Sequence, residues 1–261
     1  MTGRLPDATL AHIRRHAIKS AGGESLGRVE LSVGRALPGD RIFGVLHAAS
    51  DQRADADARL DRWLPKAAFL RGVAGPSLQA VTGGVDAEGW LDLSHPDLGA
   101  ARFDPDAADT PTALAAWLSP LWPAGKPAPT RLVRAVEGAQ LTDSKAAYVS
   151  VLSLGSLAAL EQAAGRPLGI HRWRANFWVD GWPARAEETM TGAVLEIGPA
   201  RLRVVEPIGR CDATSVDTDT GHVDGNMPGF LQQCFGHQNF GVYAEVIRPG
   251  VVSVGDQVVG V

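Results

Sequence analysis

The stretch GAVLEIGPARLRVVE, Gly192 to Glu206, decides the fold. Leu202 and Val204 alternate with Arg201 and Arg203, the period of two expected of a strand with one buried face. Gly198-Pro199 supplies a tight turn, so GAVLEIG and ARLRVVE read as neighbouring strands. Upstream, RANFWVD from Arg174 is another strand, and YVSVLSLGSLAALEQAAG from Tyr148 reads as a strand running into a helix. There Ser153 or Ser156 supplies the N-cap, Leu157 and Leu160 face the core, and Gly165-Arg166-Pro167 stops the helix. Downstream, GVYAEVIRPGVVSVGDQVVGV from Gly241 reads as a β-hairpin pair around Pro249-Gly250.

The rest of the chain extends this pattern. RLVRAV from Arg131, LGRVELSV from Leu26 and RIFGVLHAA from Arg41 are β-like, the last two separated by the turn Leu37-Pro38-Gly39-Asp40. DQRADADARLDRWL from Asp51 is a solvated helix or a loop, and DPDAADTP near Asp104 has loop composition. SPLWPAGKPAPT from Ser119 is proline-rich and marks an internal boundary, giving units of residues 1–118 and 119–261. The expected fold class is α+β, mainly β and barrel-like, with few helices. Thirty glycines and 17 prolines agree with many turns.

Composition excludes several classes. A net charge of -4 gives no electrostatic reason for nucleic-acid binding. The start, MTGRLPDATLAHIRRH, lacks the apolar region of a secretory signal, and the longest apolar run, VSVLSLGSLAAL from Val149, is too short and serine-rich for a bilayer. Two cysteines in 261 residues make no disulfide framework, so a reduced, cytoplasmic protein without membrane partners is expected. Of the 25 Lys and Arg residues only Lys19, Lys66, Lys126 and Lys145 are lysine, which leaves few candidates for any lysine-dependent role.

One cysteine, Cys211, stands in PIGRCDATSVDTDTG, Pro207 to Gly221, beside Arg210 and ahead of hydroxyls, acids and a turn. A thiolate is a soft ligand for molybdenum, copper or zinc, and a neighbouring positive charge favours it. The residues alone favour the reading of Cys211 as a small buried hydrophobe. Cys211, His222, Cys234 and His237 offer two thiols and two imidazoles, but only Cys234 to His237 has zinc half-site spacing. There is no P-loop, no dinucleotide fingerprint and no nucleophile elbow. Trp173, Trp178 and Trp182 cluster near Arg174 as packing residues, one of which could line a slot.

The ordered set of these elements resembles the MOSC family, whose domains are linked to the molybdenum cofactor. The segment Gly209-Arg210-Cys211-Asp212-Ala213-Thr214-Ser215 is similar to the family's arginine–cysteine element, and Arg174-Ala175-Asn176 to its arginine-x-asparagine element. Leu152-Ser153-Leu154-Gly155-Ser156-Leu157 matches its serine-rich strand-to-helix element, and Phe240-Gly241-Val242-Tyr243 with Gly255-Asp256 its closing strands. Ahead of these, Ala17-Ile18-Lys19-Ser20 and Asp40-Arg41 resemble the β-rich companion domain of the amidoxime-reducing branch, with Ala17-Ile18 in place of proline-valine. Met190 stands where the family usually carries tryptophan.

The resemblance implies a MOSC β-barrel packed against an N-terminal β-rich domain, and a molybdopterin-type cofactor. Cys211 is then the metal ligand and catalytic residue, with Lys19, Ser20, Arg41, Ser153, Arg174, Asn176, Arg210 and Tyr243 around the cofactor. It implies an oxidoreductase acting on N-hydroxylated small molecules. No four-cysteine iron–sulfur segment accompanies these elements, so electrons are expected from a separate partner protein. Alternatives are a sulfur carrier or cofactor carrier using Cys211, and a non-enzymatic metal- or ligand-binding protein. Pyridoxal phosphate, which the family sometimes attracts, would require Lys19 as its Schiff-base lysine and is not favoured.

Overall fold

The computed structural model describes residues 7–60, 62–136, 138–143 and 146–261. Lys145 lies outside the described residues. In chain order the first elements are β1 (Ala8–Arg15), β2 (Glu24–Leu26), β3 (Arg28–Leu31), β4 (Phe43–His47), β5 (Thr82–Val85), β6 (Leu91–His95) and β7 (Gly99–Phe103). Then come α1 (Thr110–Leu118), β8 (Pro129–Arg134), β9 (Val149–Ser153), α2 (Leu154–Ala164), β10 (Phe177–Asp180), β11 (Val194–Ile197) and β12 (Ala200–Gly209). The last are α3 (Met227–Phe235), β13 (Asn239–Arg248), β14 (Gly250–Ser253) and β15 (Gln257–Gly260).

Seven strands close a barrel in the order β10-β9-β13-β12-β11-β15-β1, with β1 pairing back onto β10. The alternation read in ARLRVVE holds: Leu202 and Val204 point into the barrel, and Val194 to Ile197 pair with Arg203 to Ala200 across the Gly198-Pro199 turn. Leu10, Ile13, Val151, Phe177, Leu195, Val242 and Val258 fill the same interior at no more than 1% exposure, so the barrel is packed and not a channel. The parallel pair β9–β10 is bridged by α2, which begins and ends as the sequence implies. Ser153 Oγ accepts the Ser156 N–H at 3.2 Å, and Gly165 closes the helix at φ +66°.

A second core forms beside the barrel. The β4–β8 pair, the β5-β6-β7 sheet and α1 enclose Ile18, Phe43, Leu78, Leu93, Leu114 and Leu132. Pairing crosses position 118/119 in both directions: β4 pairs with β8, and β1 is a barrel strand. Among the described residues no helix is long and apolar enough to cross a membrane.

One sequence expectation about the fold is corrected, and two helices are added to it. The chain end is not a hairpin around Pro249-Gly250. β13 pairs with β12 along its length and with β9 only over Val242–Ala244; nearer Pro249 the Val246 carbonyl accepts the Gly34 N–H, and β14 pairs with β3, Gly250 opposite Leu31. The loop expected from Asp104 holds through Asp109, and α1 begins at Thr110, where Pro111 is compatible with a first helical turn and Leu114, Ala115 and Leu118 are buried. Between the loops GHVDGN and GHQNFG stands α3, capped by Asn226 Oδ1 on the Gly229 N–H at 2.9 Å and ended by Gly236 at φ +83°. Of the stretch from Asp51, Asp51–Arg53 is a single 3-10 turn.

Candidate functional site

Arg174 organises the site. It follows a 3-10 turn, His171–Trp173, and takes a left-handed backbone at φ +49°. Its guanidinium donates to the main-chain carbonyls of Gly22 (2.7 Å), Ile18 (2.9 Å) and Ala21 (3.3 Å). The segment after β1 that carries Lys19 and Ser20 is therefore clamped onto the barrel. Arg41, itself at φ +51°, donates to the Arg174 carbonyl at 2.9 Å and to the Asp40 carboxylate. Asp40 also accepts the His16 N–H at 2.7 Å and is 1% exposed. The Arg41 charge and the His16 bonds hold the Asp40 carboxyl well below its usual range despite burial, and burial pushes the His16 imidazole down to about 3.

These groups meet the ends of β9, β10, β12 and β13 around a cavity of about 190 Å3. Lys19, Ser20, Arg41, Arg174, Asn176, Arg210, Cys211 and Tyr243 all line it. Ser153 does not: it is fully buried, with its hydroxyl spent on capping α2. The hydroxyl that β9 presents to the cavity is Ser150.

Each lining group has definite partners. Lys19 is 7% exposed, and its ammonium donates to the Leu141 carbonyl at 2.8 Å and to Asp143 Oδ1 at 2.5 Å; burial lowers its pKa while Asp143 opposes the shift. Asn176 Oδ1 accepts the Ser150 N–H (3.1 Å) and Oγ (2.8 Å), while Nδ2 donates to the Arg14 carbonyl (3.2 Å), so this amide ties β9 to β1. Arg210 turns inward: Nε and Nη2 donate to the Phe240 carbonyl and Nη1 to the Trp173 carbonyl, and its guanidinium lies 5.6 Å from the Trp173 ring centre. Burial pulls the Arg174 guanidinium down to about 9 and Arg210 to about 10.

Cys211 follows as the exposed N-cap of the 3-10 turn Asp212–Ser215, its carbonyl accepting the Thr214 N–H (3.0 Å) and Oγ1 (2.8 Å). Arg172 secures the loop beyond by donating to the Thr214 carbonyl and the Asp224 carboxylate. Trp173, Trp178 and Trp182 are all buried, and Trp173 alone of the three lines the cavity.

Sequence reasoning did not single out Asp143, Tyr148, Ser150, Arg172 or Thr214, which also line the cavity. One signal was present: the chain has only two tyrosines, and Tyr148 stacks on Tyr243 at 5.4 Å between ring centres. The Lys19–Asp143 contact spans 124 positions, a distance at which one sequence carries no pairing signal. Five cationic side chains and one carboxylate line the cavity; two of the cations, Arg41 and Arg172, pair with Asp40 and Asp224 behind the wall, and the balance of charge around the cavity is still positive. Among the described residues no group of three or more His, Cys, Asp or Glu side chains could hold a metal by themselves. His237 contacts Glu188 at 3.3 Å, and Cys234 sits in the last turn of α3.

The family model described as "MOSC domain" matches residues 138–259. Among solved structures, the YuaD protein from Bacillus subtilis is 13% identical with a TM-score of 0.47, covering 100% of this chain and 98% of that one. YiiM from Geobacillus stearothermophilus is 21% identical with a TM-score of 0.36, over 43% of this chain and 53% of that one. YiiM from Escherichia coli is 22% identical with a TM-score of 0.32, over the same shares. No curated protein matches the chain by sequence.

Proposed function

Residues 138–259 form a MOSC domain, and from that premise we propose that the electropositive cavity binds a molybdopterin-type molybdenum cofactor and that the chain is an oxidoreductase acting on N-hydroxylated small molecules. The observation that carries this reading is the meeting of one exposed thiol, Cys211, with five cationic side chains in a single cavity. The donor set fits such a group. Its phosphate calls for cations, its metal for a soft ligand, and one thiolate suffices where a dithiolene supplies the other sulfurs. When bound, the cofactor supplies two-electron chemistry, in which a hydroxylamine takes up two electrons and two protons and yields an amine and water.

The chain's own residues bind and orient. Cys211 contributes the thiolate. Lys19, whose ammonium is held by Asp143, would offer the point charge for the phosphate end. Arg174 and Arg210 act through the positive field and through position: one fixes the Lys19–Ser20 segment, the other the turn that presents Cys211. Asn176 holds the wall between β9 and β1. Tyr243 carries a phenol on the cavity wall that can donate a proton, with Tyr148 fixing its ring. Electrons come from a separate partner protein.

The exposure of Cys211 favours a second reading, a sulfur carrier that passes a persulfide to a partner. Protein from a molybdenum-replete host separates the two. About one molybdenum and one pterin per chain, metal lost in Cys211→Ala, and turnover of a hydroxylamine with an artificial electron donor support the oxidoreductase. Pterin-free protein with cyanide-labile sulfur on Cys211 supports the carrier. Full cofactor loading without turnover overturns the reductase reading.

A further inference from the structure

A second chamber, of about 280 Å3, shares Arg174 and Gln79 with the Cys211 cavity and is otherwise lined by different residues, among them Arg14, His16, His171 and Asp219. Arg14 is 8% exposed. Its guanidinium donates to Ser25 Oγ at 2.6 Å and to His171 Nδ1 at 3.0 Å, both neutral partners. Arg174 donates only to main-chain carbonyls. Among the described residues neither guanidinium has a carboxylate within ion-pair distance.

The acids that act on them from farther away are already engaged. Glu24, which faces Arg14, pairs with Arg15 at 2.8 Å and accepts the Val85 N–H at 3.0 Å. Asp40, which faces Arg174, pairs with Arg41 and accepts the His16 N–H. Asp219 lines the chamber but is exposed, so water screens it. Buried charge in folded proteins is compensated by an opposite charge or by a bound ion. Here two cations line one chamber and its only carboxylate is screened.

The chamber is also open where an anion would approach. Gly23 has an ordinary negative-φ backbone, so its lack of a side chain is not required by conformation. A Cβ there would stand 3.2 Å from Arg14 Nη2 and 3.4 Å from His16 Nε2. Glycine thus leaves the space beside both nitrogens free of a side chain.

We propose that this chamber is a second anion site, taking a small tetrahedral oxyanion of the phosphate class between Arg14 and Arg174, apart from the site of the thiol. The occupant is either a free oxyanion or the charged end of a ligand reaching over from the neighbouring cavity.

Inorganic phosphate titrated calorimetrically at low ionic strength tests this, with melting curves to verify folding. Arg14→Gln is expected to weaken binding about tenfold or more, as loss of a charge-assisted hydrogen bond does. Arg14→Lys should retain part of it, and Gly23→Ala should weaken it with every charge left in place. Lys19→Met, in the other cavity, should leave this binding event intact. Repeating the titration on cofactor-loaded protein identifies the source: phosphate still binds if the occupant is free, and is excluded if the cofactor's own phosphate reaches the chamber. Wild-type protein that binds no phosphate in the millimolar range, or folded Arg14→Gln and Gly23→Ala variants that titrate like wild type, would overturn the proposal. Because Arg14 and Gly23 take no part in metal binding, these outcomes are independent of whether the chain binds molybdenum.

Discussion

Lys19 Nζ lies 2.5 Å from Oδ1 of Asp143, the one carboxylate in the lining of the thiol-bearing cavity. The lysine is 7% exposed, whereas the aspartate side chain is 56% exposed and has Lys66 Nζ 3.8 Å from its other oxygen. The acid occupies the partner position that an incoming anion needs. Asp143→Asn removes this internal competitor. Because the pair is solvent-screened on one side, the gain is modest, about two- to fivefold in affinity for inorganic phosphate at this cavity. Unchanged or weaker binding in Asp143→Asn would show that Asp143 does not compete with the anion.

The clamp made by Arg174 sets a second expectation. Its fork reaches three carbonyls, of Ile18, Ala21 and Gly22, which a methionine of similar length leaves without these donors. Each partly buried acceptor left unpaired costs about 1–3 kcal/mol. Arg174→Met is therefore expected to lower the melting temperature and to speed amide exchange over residues 18–23 more than in the barrel strands. Arg174→Lys should recover little, since an ammonium cannot reproduce the planar fork. Uniform exchange across the chain would refute the local clamp.

Burial of His16 makes stability depend on pH with a definite sign. The folded imidazole titrates near 3 and the unfolded one near 6.5, so below 6.5 the unfolded chain binds a proton that the folded chain refuses. Stability is full above pH 6.5 and falls as pH drops toward 3, at about 1.4 kcal/mol per unit, or on the order of 2 kcal/mol by pH 5. Denaturant melts between pH 7.5 and 5 measure this. In His16→Asn the slope over that range should flatten. A slope unchanged by the substitution assigns the effect to other groups.

Gly155 sits in the first turn of α2, where alanine ordinarily improves a helix by up to about 1 kcal/mol. Here a Cβ would lie 2.2 Å from the Trp182 carbonyl oxygen, an overlap the main chain must move to relieve. Gly155→Ala is expected to destabilise by about 1–3 kcal/mol, opposite in sign to propensity. A variant that melts higher than wild type would mean that this backbone contact yields easily.

Much of the fold was legible because the barrel strands carry their own period. Arg201 and Arg203 facing out against Leu202 and Val204 facing in fixed β12, and Ser153 and Gly165 marked the ends of α2. The chain end was not legible in the same way. GVYAEVIRPGVVSVGDQVV has hairpin composition, but β14 finds its partner in β3, near the other end of the chain, a pairing that local composition does not encode. Ser153 shows the limit for site residues. Its sequence position suggested a ligand contact, while its hydroxyl was already committed to a helix N-terminus.

The sequence by itself determined the β-rich character, the scarcity of thiols and lysines, and the turn that follows Cys211 toward Gly221, because propensity, periodicity and composition act over a few residues. Only the tertiary structure decided which charges meet. Lys19 joins Asp143 across 124 positions, and Arg174 joins Ile18 across 156. Electrostatic compensation depends on distance in space and on burial, neither of which linear order encodes. For the same reason Arg14, one basic residue among 25 in the sequence, becomes in the folded chain a buried cation with no carboxylate within ion-pair distance among the described residues.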